Sequence, residues 1–340
     1  FPTRRSSDLL LTKTKVDEIL IFPSKFFPGV SFGYSNLSII TLERCEKEDA
    51  VNNTIRIIKG FQSSSEFSQI FSDNITSDHL NIFLLKQQDI LNNPQHRFIM
   101  GDDSNVSLLN SGDKTLGDVA DIVTGFYTGN NKKFICALDN SVKGSKGYGL
   151  IDKAKISDCT SNEGIDSPEG YVPYIKSASK RRYLRDRDEW FVRWDKPTID
   201  FYNSDRKARF QNSAFYFKTG VGIPMVKSSS IRAFLMKDRV FDQSIVGIFP
   251  HNDDDVLYFL ALMNSETINR LIHIINPTAN NSANYVKQLP YIEPPIEKKE
   301  EITSLVEQII QFLEQNKEKE ASSIQEKVNS LIDDVYSVQR

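Results

Sequence analysis

The chain is poor in the residues that build metal centres, disulfide frameworks and membrane spans. Its 340 residues include only three cysteines, four histidines and two tryptophans. Cys45, Cys136 and Cys159 lie far apart, which argues against a disulfide framework and favours reduced thiols in the cytoplasm. The histidines lack ligand spacing, so no metal site is predicted. The longest apolar run, Val256–Met263, is far too short to span a membrane.

What is present is enough for a folded protein of two or three domains. Hydrophobic residues make up 39% of the chain and charged residues 26%, and the net charge is −3. This balance excludes a protein that coats nucleic acid along its whole length. It does not exclude a local basic face, because partner choice depends on where the charge lies.

The first nine residues do not resemble a natural N-terminus. Phe1–Leu9 (FPTRRSSDL) matches the translation of a common sequencing-adapter primer; the alternative is a short basic arm. On the adapter interpretation, we expect the chain to be a fragment of a longer protein.

Two regions of different composition follow, one with apolar runs and one that is polar. Val16–Phe22 and Leu37–Leu42 are apolar runs typical of strands inside an α/β sheet, and Asn53–Lys59 fits a third strand. Residues 61–110 are polar and predict a connector with one amphipathic stretch, Phe61–Phe71.

From Leu116 onward the sequence predicts a β-rich, largely antiparallel domain. A helical turn running into a strand is expected at Leu116–Val123. The further predicted strands are Lys133–Leu138, Tyr171–Ile175, Trp190–Trp194, Ala214–Phe217, Gly222–Val226 and Val246–Phe249. Apolar residues at helical spacing then predict a helix over Asp253–Ile275 and two helices after the Pro-rich hinge Leu289–Pro295.

Charge is unevenly distributed along the chain. Residues 165–245 hold 16 Lys/Arg and 10 Asp/Glu, a net of +6, whereas residues 293–340 carry a net of −5. Basic residues interleaved with aromatic, Ser and Asn residues suit a duplex-binding face. The alternative is a solvated face whose acids pair with the bases. Trp190 and Trp194 favour core packing over base stacking.

Five segments occur in an order that resembles TaqI-like adenine-specific DNA methyltransferases, including their target-recognition domain. They are LGDVADIVTGFYTGNNKKF (Leu116–Phe134), VPYIKSASKRRY (Val172–Tyr183), GIPMVKSSSIRAFLMKDRVFDQSIVGIFP (Gly222–Pro250), FLALMNSETINRLIHIINPTANNSANYVKQLPYIEPP (Phe259–Pro295) and IDDVY (Ile332–Tyr336). Upstream, KFFPGVSFGYSNLSIITLER (Lys25–Arg44) is similar to the last strands of the family's catalytic domain.

The resemblance implies an α/β plus α+β fold: the end of a Rossmann-like methyltransferase sheet, a β-rich mixed DNA-recognition domain and a C-terminal helical tail. The implied domains are 1–9 (adapter), 10–60 (catalytic strands), 61–110 (connector), 111–292 (target recognition) and 293–340 (helical tail). The implied activity is methyl transfer from S-adenosylmethionine to the adenine amino group of double-stranded DNA.

The resemblance also implies site residues. Phe27 is the candidate for stacking on a flipped adenine, with Phe26 as its nearest competitor and burial in a core as the alternative role. The residues expected to bind DNA are, in the loop, Thr128, Gly129 and Asn130; as phosphate anchors, Lys132, Lys133, Lys180, Arg181, Arg182 and Lys227; and as base-edge or wedge residues, Tyr183, Ser229 and Arg232. For the loop glycine and asparagines, the alternative is that they serve the turn itself.

The sequence departs from the family in two places. The catalytic Asn/Asp-Pro-Pro-Tyr/Phe loop is missing, and so is the Gly-rich donor loop; FKTGVG (Phe217–Gly222) is only a near match with one residue too many. We therefore expect this chain alone to bind DNA weakly and not to methylate it. The alternatives are a specificity subunit of a multi-subunit restriction system, or a β-rich interaction protein that does not bind DNA.

Overall fold

The computed structural model describes residues 4–23, 26, 37–73, 79–92, 96, 98, 109, 113–226, 230–276 and 280–337. The chain divides into two compact units, Phe1–Asn110 and Ser111–Asn276 with Asn280–Arg340. Each unit has its own hydrophobic core. The fold is a mixed α/β arrangement of several sheets and helices, as the sequence predicts at this coarse level.

The first unit is built on a four-stranded sheet of order β2-β1-β3-β4. Its strands are β1 (Thr14–Phe22), β2 (Leu37–Arg44), β3 (Thr54–Lys59) and β4 (Asn81–Lys86). β1 and β3 are parallel, whereas β2 and β4 run antiparallel to their neighbours. The first three strands agree with the predicted ones. β4 was not predicted, because two of its apolar residues, Ile82 and Leu84, are exposed and the segment lacks a clear alternation of polar and apolar residues.

Four helices accompany this sheet in the described residues. They are α1 (Arg4–Lys13), α2 (Lys47–Val51), α3 (Ser64–Asp73) and α4 (Gln87–Asn92). α3 lies in the stretch predicted to be amphipathic, and Phe67 from its first turns packs against Phe22 and Phe61 of the core.

A buried glutamine ties the parts of this unit together. The amide nitrogen of Gln87 donates to the carbonyl oxygens of Leu11 and Thr14, both at 3.1 Å. Its oxygen accepts from the backbone N–H of Val16 and from the side-chain amide of Asn53, both at 2.8 Å. Because these groups are buried or partly buried, Gln87 satisfies at once polar atoms that have limited access to water at the end of α1, in β1 and before β3.

We predict that Gln87→Leu destabilises the first unit by roughly 3 kcal/mol, because several buried polar groups lose their partner. Native-state hydrogen exchange of the β1 and β3 amides measures the change, since neither tryptophan lies in this unit. The control is Gln88→Leu, whose exposed side chain bonds only Asn92 in the same helix. Unchanged protection in the Gln87 variant would show that this network is dispensable.

The second unit contains three sheets, of orders β13-β9-β10-β7-β8, β12-β11-β14-β6 and β15-β5. The strands are β5 (Lys114–Thr115), β6 (Ala120–Thr124), β7 (Ile135–Ala137), β8 (Gly149–Leu150), β9 (Tyr171–Ile175), β10 (Trp190–Arg193), β11 (Gly220–Pro224), β12 (Phe234–Met236), β13 (Val240–Phe241), β14 (Ile245–Pro250) and β15 (Pro290–Tyr291). Apart from the pairs β13–β9 and β7–β8, neighbouring strands are antiparallel, as the sequence predicts.

The helices of the second unit lie between its strands or form the tail. They are α5 (Leu116–Val119), α6 (Asn131–Phe134), α7 (Lys196–Ser204), α8 (Val256–Asn264), α9 (Glu266–Ile275), α10 (Ala283–Val286), α11 (Ile296–Glu314) and α12 (Glu318–Ser337). α11 and α12 pack against each other, each buries apolar residues, and they confirm the two helices predicted for the tail. No helix in the described part of the chain combines the length and apolar character needed to cross a membrane.

Three local predictions need correction. Ala214–Phe217 is not a strand but follows a 3₁₀ turn at Ser213–Phe215, because Asn212 and Phe217 both have left-handed φ angles, +58° and +61°. The helix predicted over Asp253–Ile275 is interrupted at Ser265, whose hydroxyl caps the start of α9 by accepting from the Ile268 N–H at 3.2 Å. The strand predicted at Lys133–Leu138 begins instead with the helical turn α6.

The core of the second unit is aromatic and centred on Phe126. Its ring lies 5.2–6.0 Å, between centroids, from the rings of Tyr174, Trp194, Tyr202, Phe210 and Tyr216. Trp190 and Trp194 are both buried, which confirms that they pack in the core. Such a cluster stabilises both by buried area and by edge-to-face ring contacts.

Candidate nucleic-acid interface

The loop Thr124–Asn131 is fixed to the core by a close backbone approach. The N–H of Phe126 donates to the carbonyl oxygen of Phe241 at 3.1 Å. A Cβ atom at Gly125 would lie only 1.9 Å from that same oxygen, so no other residue fits without moving the backbone. The Phe126 ring then fills the centre of the aromatic core, and the rest of the loop extends from this anchor.

A buried tyrosine supports the same loop. The Tyr174 hydroxyl lies 2.7 Å from a carboxylate oxygen of Asp242 and 3.2 Å from the carbonyl oxygen of Phe126. Burial and the nearby Asp242 carboxylate raise the pKa of Tyr174 well above its usual value. The hydroxyl therefore keeps its proton and remains a hydrogen-bond donor.

A second loop, residues 205–211, pairs with the first. The backbone N–H of Arg209 donates to the Tyr127 carbonyl at 2.8 Å, and the Tyr127 N–H donates back to Arg209 at 3.3 Å. The side-chain amide of Gln211 donates to the Gly125 carbonyl at 3.0 Å. Gly129, at φ +81°, lies against Ala208, where an added Cβ would come within 3.0 Å of its nitrogen. We call these two segments, residues 124–133 and 205–211, the loop pair.

The loop pair carries a concentration of exposed cations: Lys132, Lys133, Arg206, Lys207 and Arg209. Lys133 places its ammonium 4.9 Å from the centroid of the Phe134 ring. Among the residues that the structure describes, none of these five cations takes part in an ion pair. The neighbouring carboxylate of Asp205 accepts instead from the backbone N–H groups of Lys207 and Ala208. The cations therefore remain available to an anionic partner.

The polar residues predicted within the first loop hold its shape. Thr128 is buried; its hydroxyl donates to the Asn131 side chain at 2.8 Å and accepts from the Asn130 N–H at 3.2 Å. Asn130 in turn accepts from the Lys133 N–H at 3.2 Å and caps α6. The side chains of Thr128 and Asn130 thus bond within the loop, whereas the side chains of Lys132 and Lys133 are exposed.

In the second predicted basic element, Lys180–Tyr183, two residues contact the helical tail and two are accessible to solvent. Arg181 and Tyr183 contact the helical tail, and Tyr183 is buried. Lys180 is exposed, Arg182 is partly exposed, and neither makes an ion pair with the described residues. The Tyr183 N–H donates to the Ala233 carbonyl at 2.7 Å, which brings this segment beside the exposed Arg232. We call Lys180, Arg182 and Arg232 the second basic cluster.

Three predicted residues, Phe27, Lys227 and Ser229, lie outside the described residues. Phe26, the competitor of Phe27, is buried, with its ring 4.6 Å from that of Phe22 between centroids. A direct contact of Tyr183 with a base would require this buried side chain to leave its present environment. Arg206, Lys207 and Arg209 belong to the basic window but are not predicted as site residues, because only the backbone pairing of Tyr127 with Arg209 brings their loop alongside the first one.

The near match to a methyl-donor loop does not form a donor pocket. Gly220 and Gly222 lie in β11, in the interior of a sheet. A Cβ at Gly220 would meet the Phe249 ring at 2.6 Å, and one at Gly222 would meet the Phe234 ring at 2.7 Å. Aromatic rings therefore fill the space that a donor would need. No group of His, Cys, Asp and Glu residues suited to a metal ion occurs among the described residues.

Comparison with known proteins finds similarity to a methyltransferase and to restriction–modification enzymes. No protein-family model matches it. It is similar to an adenine-specific methyltransferase, which confirms the resemblance seen in the sequence. That relative is the adenine-specific methyltransferase BrxX of Escherichia coli O9:H4 (strain HS), 26% identical over 126 residues, which are 36% of this chain and 10% of BrxX.

Two solved structures of restriction–modification enzymes also align with the chain. One is the type IIG restriction endonuclease BpuSI, at 12% identity, with a TM-score of 0.40 over 99% of this chain and 46% of that one. The other is the type IIL restriction–modification enzyme MmeI in complex with DNA, at 13% identity, with a TM-score of 0.49 over 95% of this chain and 43% of that one. The chain spans less than half the length of either, and neither TM-score reaches the level of a common fold.

We predict that Gly125→Ala destabilises the second unit by roughly 3 kcal/mol, because the new Cβ must displace the Phe241 backbone. Urea denaturation followed by tryptophan fluorescence measures it, since both tryptophans lie in this core. Gly149→Ala is the matched control, because its Cβ would meet only the Cys136 sulfur at an ordinary 3.4 Å. Equal stability of the two variants would contradict the close approach at Gly125.

Proposed function

We propose that the second unit is the target-recognition module of a site-specific adenine DNA methyltransferase, and that it binds duplex DNA through the loop pair and the second basic cluster. The similarity to the adenine-specific methyltransferase BrxX carries this proposal. It is supported by exposed lysines and arginines that have no acidic partner among the described residues, on loops fixed to a rigid core.

Each part of the chain, taken in sequence order, has its own proposed role. Residues 10–60 contribute the last strands of the catalytic domain. Residues 61–110 add β4 to the same sheet and connect to the second unit, where 111–292 recognise the target and 293–340 form the helical tail. The parent enzyme transfers a methyl group from S-adenosylmethionine to the amino group of adenine. Recognition, and not methyl transfer, is assigned to the residues of this chain, and none of them is assigned to the methyl donor.

The chemistry of the basic residues suits this role. Lysine and arginine neutralise phosphates and release condensed counterions, which makes affinity fall steeply with salt. Contacts to phosphates fix the register of a protein on the duplex, whereas contacts to base edges read the sequence. In the proposal, Lys132, Lys133, Lys180 and Arg182 anchor the phosphate backbone of DNA, and Arg232 lies on a neighbouring segment from which its long side chain reaches into a groove.

We predict that the chain binds mixed-sequence duplex DNA with a strong salt dependence. The triple variant Lys132→Gln/Arg206→Gln/Lys207→Gln should bind more weakly at low salt. Its slope of log affinity against log salt should be less steep by about 2–3, at roughly 0.9 for each lost phosphate contact. Fluorescence anisotropy across a salt series measures both quantities.

The control is Lys327→Gln, which removes an exposed cation of the tail outside both basic groups. It should leave the slope within experimental error of the wild type. Absent or salt-insensitive binding by the wild-type chain would refute the DNA-binding function, and an unchanged slope in the triple variant would refute the proposed surface.

A further inference from the structure

In the segment Lys180–Tyr183, residues that contact the helical tail alternate with residues that make no ion pair with any described residue. Resting on the function proposed above, we propose that the tail is a working part of the DNA-binding surface. A clasp, formed by Arg181 and Tyr183 with the α11–α12 hairpin, positions Lys180 and Arg182 for phosphate. Arg181 and Tyr183 are thereby positioning residues rather than DNA contacts.

Arg181 is engaged on every side of its guanidinium group. One terminal nitrogen donates to the Leu313 carbonyl at 3.3 Å, in the last turn of α11, and the other donates to the Asn316 side chain at 3.2 Å. Its Nε lies 3.3 Å from the Glu318 carboxylate and 3.2 Å from that of Asp186. A cation at a helix C-terminus is stabilised by the helix dipole and by unpaired carbonyl groups.

Tyr183 adds a strained backbone to the clasp. Its φ angle is +67°, in the left-handed region that is unfavourable for a non-glycine residue. The conformation is held by backbone hydrogen bonds to Ala233 and Leu235, at 2.7 and 3.0 Å, and by a hydrogen bond from the hydroxyl to the Gln325 side chain on α12. Strain that surrounding contacts maintain is characteristic of functional segments.

The clasp holds Lys180 and Arg182 in place for binding to phosphate. With residues 181 and 183 fixed, the backbone of residues 180 and 182 has little freedom left, so less conformational entropy is lost when these cations meet phosphate. A further hydrogen bond, from the Ser179 hydroxyl to the Leu184 carbonyl at 2.8 Å, closes the turn around the segment.

A competing interpretation predicts the opposite change in DNA affinity when the tail's contacts are removed. If the acidic tail only screened the basic segment, removing Glu318 would strengthen DNA binding. The clasp requires that removing the tail's contacts weakens it. The two ideas are therefore separated by the direction of a single change in affinity.

The test alters the tail alone, with Asn316→Gly/Glu318→Gln/Gln325→Leu. Asn316 has φ +57°, so glycine keeps the backbone while the acceptor is lost. We expect duplex DNA affinity to fall about tenfold and the salt slope to become less steep by about 1–2, corresponding to two phosphate contacts, although the chain loses a negative charge. Unchanged or tighter binding would overturn the clasp.

The matched control is Glu320→Gln, the same charge change in the first turn of α12 at an exposed residue with no ion pair among the described residues. It should leave affinity within twofold. Tryptophan fluorescence on heating checks that each variant is folded; if the triple variant is not, Asn316→Gly alone must show the same direction of change. Failure of the wild type to bind DNA would instead refute the proposed function, so the two failures are distinguishable.

Discussion

The arrangement of the second unit depends on the contact between Gly125 and the Phe241 carbonyl. Without a side chain at Gly125, the chain can pass close enough to β13 for Phe126 to enter the aromatic core. The same anchor sets the position of Tyr127, whose backbone pairs with Arg209 and brings the second loop alongside the first. A packing constraint in the core thus determines where the exposed cations of the loop pair lie, and rigid presentation of this kind lowers the entropic cost of binding.

The cations of this unit fall into two chemical groups. Some make contacts within the protein. Arg193 pairs with the buried Asp195 at 2.6 Å, Arg239 pairs with Asp188 at 2.9 Å, and Arg181 binds the helical tail. The others, in the loop pair and the second basic cluster, have no acidic partner among the described residues. Only the second group can exchange small counterions for phosphates, so the net charge of the window overstates the number of cations available to DNA.

The sequence predicted what depends on local pattern. Apolar runs located β9 and β14, the Leu116–Val123 pattern gave a helical turn leading into a strand, and the spacing of tail residues gave both helices. The left-handed backbone at Asn212 and Phe217 is accompanied by bonds to the distant residues Thr124 and Arg239, so the local pattern does not reveal it. The Ser265 cap is local, but apolar residues at helical spacing on both sides of it hide the break. The site was predictable only in part: Lys132, Lys180 and Arg232 are exposed as expected, whereas the burial of Tyr183 and the engagement of Arg181 arise from contacts more than 130 residues away in sequence.

The central claim is that duplex DNA covers the loop pair and the second basic cluster. Lysine acetylation with and without duplex DNA, quantified by mass spectrometry, tests it most directly. The account predicts that DNA slows acetylation of Lys132, Lys133, Lys180 and Lys207, that this protection disappears at high salt, and that Lys327 is modified equally in both conditions. Protection absent from these four lysines, or confined to other parts of the chain, would contradict the account.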